Sequence, residues 1–432
     1  MVVNYCYKIF LNLARTCVPY FLKFFIKLKL YNSIAILLVI LVKINTFFWY
    51  KKNQIQKKRK PYLKNILSFD RVIFDRDMVE VLKRTDLYIQ FFHNEHYTFL
   101  ADAILDSKIR NQMDYSGSSD ESKLLFYNLL KHIFNKFQYL LKFDVILNSN
   151  FIYYQDFEWA RLCKHLNFPF LTLCKEVPNT ISNEQKWIQD WYNFKYYGTA
   201  MAVYSDWTKT VLRDECNIGK KDKFQVVGCP RTDPIFDIFS KNKNMDRALV
   251  VFFDFMDHPK KTMWNEAIKA YALMAKEAKY HKKYKFLLKT KYKEHEIFIR
   301  NHLKSNNIES KQLIISHDFD ILDIARRAKV ICGFRTTSLI KFMKSDLPII
   351  IFNWGEAKDE VEDNLIPPEL GDSCILCDEL ENFTFYIDKI LRSNNYVSNY
   401  NRKHREILIE KNLYKIDGNR SKEFESFVLN HT

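Results

Sequence analysis

The chain contains no G-x-G-x-x-G run and no G-x-x-x-x-G-K-[ST] run. Neither the usual dinucleotide fingerprint nor an NTPase phosphate loop is supported. Zinc-finger spacing, a helix-turn-helix pattern and an RNA-binding aromatic signature are all missing as well. Of nine cysteines only Cys374 and Cys377 form a C-x-x-C, and no second pair completes a zinc site. Scattered thiols of this kind fit a reducing compartment and read as structural. No small-residue cleavage site follows the apolar N-terminal region, which argues against a removed signal peptide.

What is present suits a folded, multidomain chain. At 432 residues it has room for two or three domains, and 47% hydrophobic with 16% aromatic residues exclude global disorder. The formal charge of +16 admits three partners: nucleic acid, an anionic membrane surface, or phosphate-bearing substrates. Much of the lysine excess sits near the N-terminus, which favours the membrane surface, and no nucleic-acid partner is expected.

Residues 1–61 read as a hydrophobic and basic membrane-associating segment. Ile34–Val42 is an uninterrupted apolar run; Lys43 breaks it and Ile44–Tyr50 resumes it. A basic cluster follows at 51–60. A span needs about 20 mostly apolar residues, which 30–50 reach only if Lys43 snorkels. Three readings stand: a single span, an in-plane anchor, or a helix packed on the globular part. Membrane attachment, peripheral or single-pass, is favoured, with the following domain on the cytoplasmic side.

From residue 62 onward strands and helices alternate. A helix over 71–84 and a strand over Leu87–Phe92 lead to His93 and His96, read as a polar loop. A long helix over Lys123–Leu141 follows. Phe143–Leu147, Pro169–Leu173 and Ala200–Tyr204 read as buried strands, and Ser205 as a helix N-cap. The repeated β–α–β order argues for a doubly wound parallel sheet, in which ligands bind at the carboxyl ends of strands. Asn150, Lys175 and Glu176 stand at such ends. A carboxylate beside a lysine there serves as a general base or as an ordinary surface ion pair. A first domain over 62–222 and a second over 223–392 are expected, then a helical tail over 393–432.

In the second domain Phe224–Val227, Ala248–Phe253, Lys285–Leu288 and Gln312–Ser316 read as strands. Arg231 sits on a rigid Gly-Cys-Pro-Arg turn and suits bidentate phosphate recognition. Lys289 stands at one strand mouth and His317 at the next. Residues 329–354 form the pivotal unit: a strand to Cys332, the loop Gly333–Ser338, a helical stretch Leu339–Lys344, and a strand Ile349–Phe352. A helix start carrying Arg335, Thr337 and Ser338 offers an anionic oxygen a seat, although the same residues also serve as plain helix caps.

Three stretches carry a family resemblance. VVGCPRTDPIF (226–236) looks like the V-x-G-x-P-R-x-D element of bacterial surface-polysaccharide transferases. FRTTSLIKFMKSDLPIIIFNW (334–354) resembles their R-x-T-S element, of which the CDP-glycerol glycerophosphotransferases have a serine-rich version. FDVILNSNFIYYQDFEWARLCKHLNFPFLTLCKE (143–176) resembles the core of their N-terminal domain, and Asp417-Gly418 also fits. The resemblance covers about 140–430 and is to GT-B-fold glycosyltransferases. It implies two Rossmann-like α/β domains facing across a cleft, and transfer from a nucleotide-sugar donor to a polysaccharide or glycolipid acceptor, as in capsule or lipopolysaccharide synthesis. No bound metal and no separate cofactor are implied. Arg231, Lys289, Arg335, Thr337 and Ser338 would face the donor phosphates, and Glu176 would deprotonate the acceptor. Lys341 departs from the pattern, since the family commonly has a glutamate there. Three rivals remain: a CDP-glycerol-type polyol-phosphate transferase, a nucleotide-sugar 2-epimerase, and a non-catalytic membrane-bound scaffold of the same fold.

Overall fold

A computed structural model describes residues 16–55, 62–70, 74–105, 118–152, 154–220, 223–241, 247–254, 264–334, 336–355, 365–393 and 400–432. It separates into two units. The first holds the described residues up to Val177, then Trp191–Arg231 and Asn419–Thr432; the second holds Pro178–Asp190 and Thr232–Gly418.

In the first unit, helices α1 (16–27) and α2 (Tyr31–Lys52) precede β1 (Lys64–Asp70), α3 (Phe74–Arg84) and β2 (Leu87–His93). Then come α4 (Asp120–Leu141), β3 (Val145–Asn148), α5 (Tyr154–His165), β4 (Phe170–Cys174), β5 (Ala200–Val203) and β6 (Phe224–Val226). The six strands form one parallel sheet in the order β2-β1-β3-β4-β5-β6. Runs such as VILN, FLTLC and AMAV are buried along their whole length, as a sheet covered on both faces requires. The crossover direction reverses between β1 and β3, which makes that pair the switch point.

Helix α2 packs on its own unit along one face. It lies on α4 and on the outer strand β2, and 56% of its apolar window is buried. An outer strand exposes backbone N–H groups that need partners. Here α2 supplies them: Thr46 Oγ1 accepts the Phe91 N–H at 2.9 Å, and the Tyr50 hydroxyl accepts the Ile89 N–H at 3.2 Å. The four residues from Thr46 to Tyr50 rise about 6 Å, close to the roughly 6.6 Å spanned by two strand residues, so the two hydroxyls match two successive outward N–H groups. By length and composition α2 is also apolar enough to cross a membrane.

The second unit contains β7 (Leu249–Phe253), α6 (Trp264–Tyr280), β8 (Lys285–Lys289), α7 (Lys293–Ser305) and β9 (Leu313–Ser316). These are followed by β10 (Ala328–Gly333), β11 (Ile349–Phe352), β12 (Ile375–Cys377) and α8 (Arg402–Leu413). The parallel order is β12-β11-β10-β7-β8-β9. Read from β9, this is the doubly wound order 3-2-1-4-5-6, with its switch point between β7 and β10. Gly333 closes that point. A Cβ there would lie 2.9 Å from the Phe253 carbonyl oxygen, so only glycine lets the two strand ends come this close.

The domain boundary differs from the expected 222/223. β6 pairs with β5, from Met201↔Phe224 to Val203↔Val226, so residues 223–231 complete the first unit. The tail also divides. α8 stays with the second unit through Arg405, whose buried guanidinium donates to the carbonyls of Ser345, Leu347 and Ser373. The last helix, α9 (Arg420–Asn430), belongs to the first unit, where Glu425 accepts the Asp86 N–H at 2.7 Å. The expected His93–His96 loop is instead the end of β2 running into a helix at Asn94–Asp102, with His96 buried.

The pivotal stretch after β10 is the main local correction. Only a 3-10 turn, Ile340–Phe342, forms where a helix over Leu339–Lys344 is expected. The amides of Leu339, Phe342, Met343 and Ser345 all bond three residues back. Leu339, Ile340, Phe342 and Met343 are all buried, and Thr336 Oγ1 takes the Ser338 N–H. Hydroxyls that compete for local amides favour the tight turn over a regular helix.

Candidate functional site

The carboxyl ends of β7, β8, β9 and β10 gather the densest chemistry of the second unit. Asp254 directly follows β7 and is 7% exposed; its N–H bonds to the Lys289 carbonyl and prolongs the pairing with β8. The Tyr271 hydroxyl, from α6, donates to Asp254 Oδ1. His295, from the first turn of α7, places Nδ1 3.4 Å from Asp254 Oδ2. Burial, reinforced by the Asp254 charge, pushes the Tyr271 phenol far above its ordinary range and keeps it a donor.

Beside this group, Lys289 Nζ donates to the carbonyls of Thr290 (2.9 Å) and His317 (2.5 Å). Glu296 accepts from the His317 N–H (3.1 Å), from His317 Nδ1 (2.8 Å) and from the Arg300 guanidinium (2.9 Å). Partial burial acts to raise the Glu296 carboxyl, but the His317 and Arg300 hydrogen bonds outweigh it and hold the group down at about 2. His317 Nε2 also lies 2.9 Å from Asp318. The result is a strand-end rim of alternating charge.

The structure therefore brings Lys289 and His317 together, as their strand-mouth positions predict. Thr337 and Ser338 are half-buried at the end of the neighbouring strand β10, but without a regular helix behind them they have no helix dipole to offer. Arg335 lies outside the described residues. Asp254, Tyr271, His295 and Glu296 are additional. Their sequence signal is plain in retrospect: an aspartate ending an apolar strand, and a His-Glu pair opening the helix after β8.

In the first unit, Asn148, Ser149 and Asn150 follow β3 at the switch point, and all are buried. Asn150 Oδ1 accepts the N–H groups of Phe151 (2.6 Å) and Ile152 (2.9 Å), so its carbonyl shapes the loop instead of facing a substrate. Ser149 Oγ and Asn148 Oδ1 are buried with no hydrogen-bond partner among the described residues. At the end of β4, Lys175 Nζ lies 3.7 Å from Glu176 Oε1; the Glu176 side chain is 48% exposed and that of Lys175 12%.

Arg231 is a correction. It belongs to the first unit, and its partners are Asp77 of α3, Tyr204 after β5 and Cys229. Asp77 is fully buried. It accepts the Arg231 N–H at 3.1 Å and the Tyr204 hydroxyl at 2.6 Å, and Arg231 Nε lies 3.5 Å away. The turn that carries Arg231 passes through Gly228 at φ +77, and it aims the guanidinium inward. Burial alone would lower the Arg231 pKa, but Asp77, Tyr204 and Cys229 together outweigh it and hold the group well above its ordinary value. The residue expected to meet a phosphate is committed to a buried carboxylate.

Cys374 and Cys377 are free, and burial pushes both thiols up to about 12, as structural residues require. Among the described residues, no three or more His, Cys, Asp or Glu side chains are placed to hold a metal ion.

No family model and no curated protein matches the chain. Solved structures do. A UDP-GlcNAc 2-epimerase from Neisseria meningitidis bound to UDP-GlcNAc is 12% identical over 85% of this chain and 100% of its own, with a TM-score of 0.48. A glycosyltransferase from Rickettsia africae is 15% identical over 86% and 100%, at 0.45. A UDP-GlcNAc 2-epimerase from Methanocaldococcus jannaschii in complex with UDP-GlcNAc and UDP is 15% identical over 80% and 98%, at 0.40. At such identities and scores the likeness assigns no activity. The strand orders of the two sheets stand on their own, and they give a two-unit, GT-B-like α/β fold.

Proposed function

We propose that the protein is a glycosyltransferase that moves a sugar from a nucleotide-sugar donor to a surface-polysaccharide or glycolipid acceptor. The observation that carries this reading is the charged rim on a sheet of order 3-2-1-4-5-6. Sheets of that order bind ligands outside the carboxyl ends at the switch point; Asp254 ends β7 there with His295 against it, and Lys289 and His317 stand at the ends of the next two strands. Lys289 is a cation held in place by two carbonyls, suited to a donor phosphate together with Thr337, Ser338 and Arg335. In the first unit, Ser149 Oγ and Asn148 Oδ1 offer unused hydrogen-bonding capacity to a polar acceptor. Glu176 is the carboxylate proposed to take the acceptor's proton. On this reading the protein works at the cytoplasmic face of the inner membrane.

The test is thermal stabilisation of the full chain by UDP, GDP, CMP, CDP and dTDP, followed by transfer of labelled sugar from the matching donor. A nucleotide at a hundred times its dissociation constant adds about 2.7 kcal/mol. Lys289→Ala is expected to abolish most of that gain. Glu176→Gln is expected to keep the gain and lose transfer by about a hundredfold. Absence of stabilisation by all five nucleotides overturns the reading. Transfer of a polyol phosphate from a CDP donor replaces it with the rival reaction.

A further inference from the structure

Charge is distributed very unevenly along the chain. Thirteen lysines and arginines precede Asp70, and no aspartate or glutamate does, against a net charge of +16 for all 432 residues. The described part of this region also exposes large apolar side chains. In α1, Phe21 and Phe24 are 53% and 56% exposed, interleaved with exposed Lys23 and Lys27. In α2 the exposed residues Ile36, Ile40, Lys43, Phe47 and Lys51 form one stripe at helical spacing.

The opposite face of α2 is already occupied. Thr46 and Tyr50 hold it to the outer strand of the sheet, so the helix moves only with the whole unit. A helix crossing a bilayer would have to release both hydroxyls and carry Lys43 to mid-depth, which is expensive. A helix lying in the bilayer plane keeps both bonds. It sinks its apolar stripe and leaves its lysines at headgroup level.

We propose that α1 and the outward stripe of α2 seat the first unit in plane on an anionic phospholipid bilayer. Exposed aromatics provide the apolar insertion, and an acid-free run of cations selects negatively charged headgroups. This inference is independent of the nucleotide reading, because vesicle binding needs no nucleotide.

The experiment is flotation of the full-length protein with vesicles of phosphatidylcholine alone, or of phosphatidylcholine with phosphatidylglycerol, at low and high salt. Binding is expected only to the anionic vesicles, with loss at high salt. Each basic residue near such a surface contributes roughly fivefold in partition, so Lys23→Gln, Lys27→Gln and Lys29→Gln together are expected to lower it about a hundredfold. Phe21→Glu with Phe24→Glu is expected to release the protein while leaving its melting temperature unchanged, since both side chains are exposed. Nitroxide labels at Asn32→Cys, Ile40→Cys and Lys51→Cys, with Cys17→Ser, then read depth. All three are expected to be shallow. Failure to bind anionic vesicles, indifference to the Phe21→Glu/Phe24→Glu pair, or an Ile40 label at the bilayer centre between two interfacial labels would each overturn the proposal.

Discussion

Replacing Arg231 by glutamine separates a structural arginine from a phosphate-binding one. The Asp77 carboxylate is fully buried, and Tyr204 beside it is 1% exposed. In the substituted protein Asp77 keeps the Tyr204 hydroxyl and the backbone N–H of residue 231 but loses its counter-charge. Leaving one member of a buried ion pair uncompensated costs about 3–5 kcal/mol. For a unit of this size each kcal/mol shifts the melting temperature by about 2–4 °C, so a fall of roughly 6–20 °C is expected. Two units need not melt together, so the fall is best located by amide exchange. Peptides of α3, β5 and β6 are expected to lose protection, while peptides of β7–β10 keep theirs. Adding Asp77→Asn removes the stranded charge, so the double variant is expected to be more stable than Arg231→Gln alone. If Arg231→Gln melts like the parent and loses only its response to nucleotide, the structural assignment is wrong and the guanidinium is a ligand contact.

Three further predictions concern other elements. Thr46→Val preserves shape and removes the acceptor of the Phe91 N–H, which is expected to cost about 1–3 kcal/mol and to speed amide exchange in β2; unchanged exchange there would detach α2 from its strand. Glu296 has a folded pKa of about 2 against an ordinary 4.5, so its contribution is present above pH 4.5 and is lost as pH falls towards 2. After allowance for solvent screening, the gap in stability between parent and Glu296→Gln is expected to be about 1 kcal/mol at neutral pH and to close over that acid window, as urea unfolding at stepped pH would read. Gly333→Ala pushes a methyl group against the Phe253 carbonyl and is expected to cost about 1–3 kcal/mol, measured by thermal melting.

Much of the sheet architecture was legible because parallel strands buried on both faces write themselves as short apolar runs. β11 matches its expected bounds, and β3, β4, β5, β7 and β10 lie within a residue or two of theirs. β1 was not read, although it forms half of the first switch point. Its KNILSFD run is short, and its pairing with β2 and β3 is a tertiary fact. Arg231 shows the harder limit. A Gly-Cys-Pro-Arg turn after a strand announces a held arginine, but whether it is held towards a phosphate or towards a carboxylate depends on Asp77, 154 positions earlier in the chain. The helix expected after β10 failed for a local reason instead. Apolar positions at 339, 340, 342 and 343 suit one helical face, yet a hydroxyl-rich start turned the segment into i→i+3 turns. The anion seat inferred from that helix start therefore loses its dipole. The case for a phosphate site moves to the ends of β7–β9, where Asp254, Lys289, His295 and His317 are set by strand order and not by any contiguous motif.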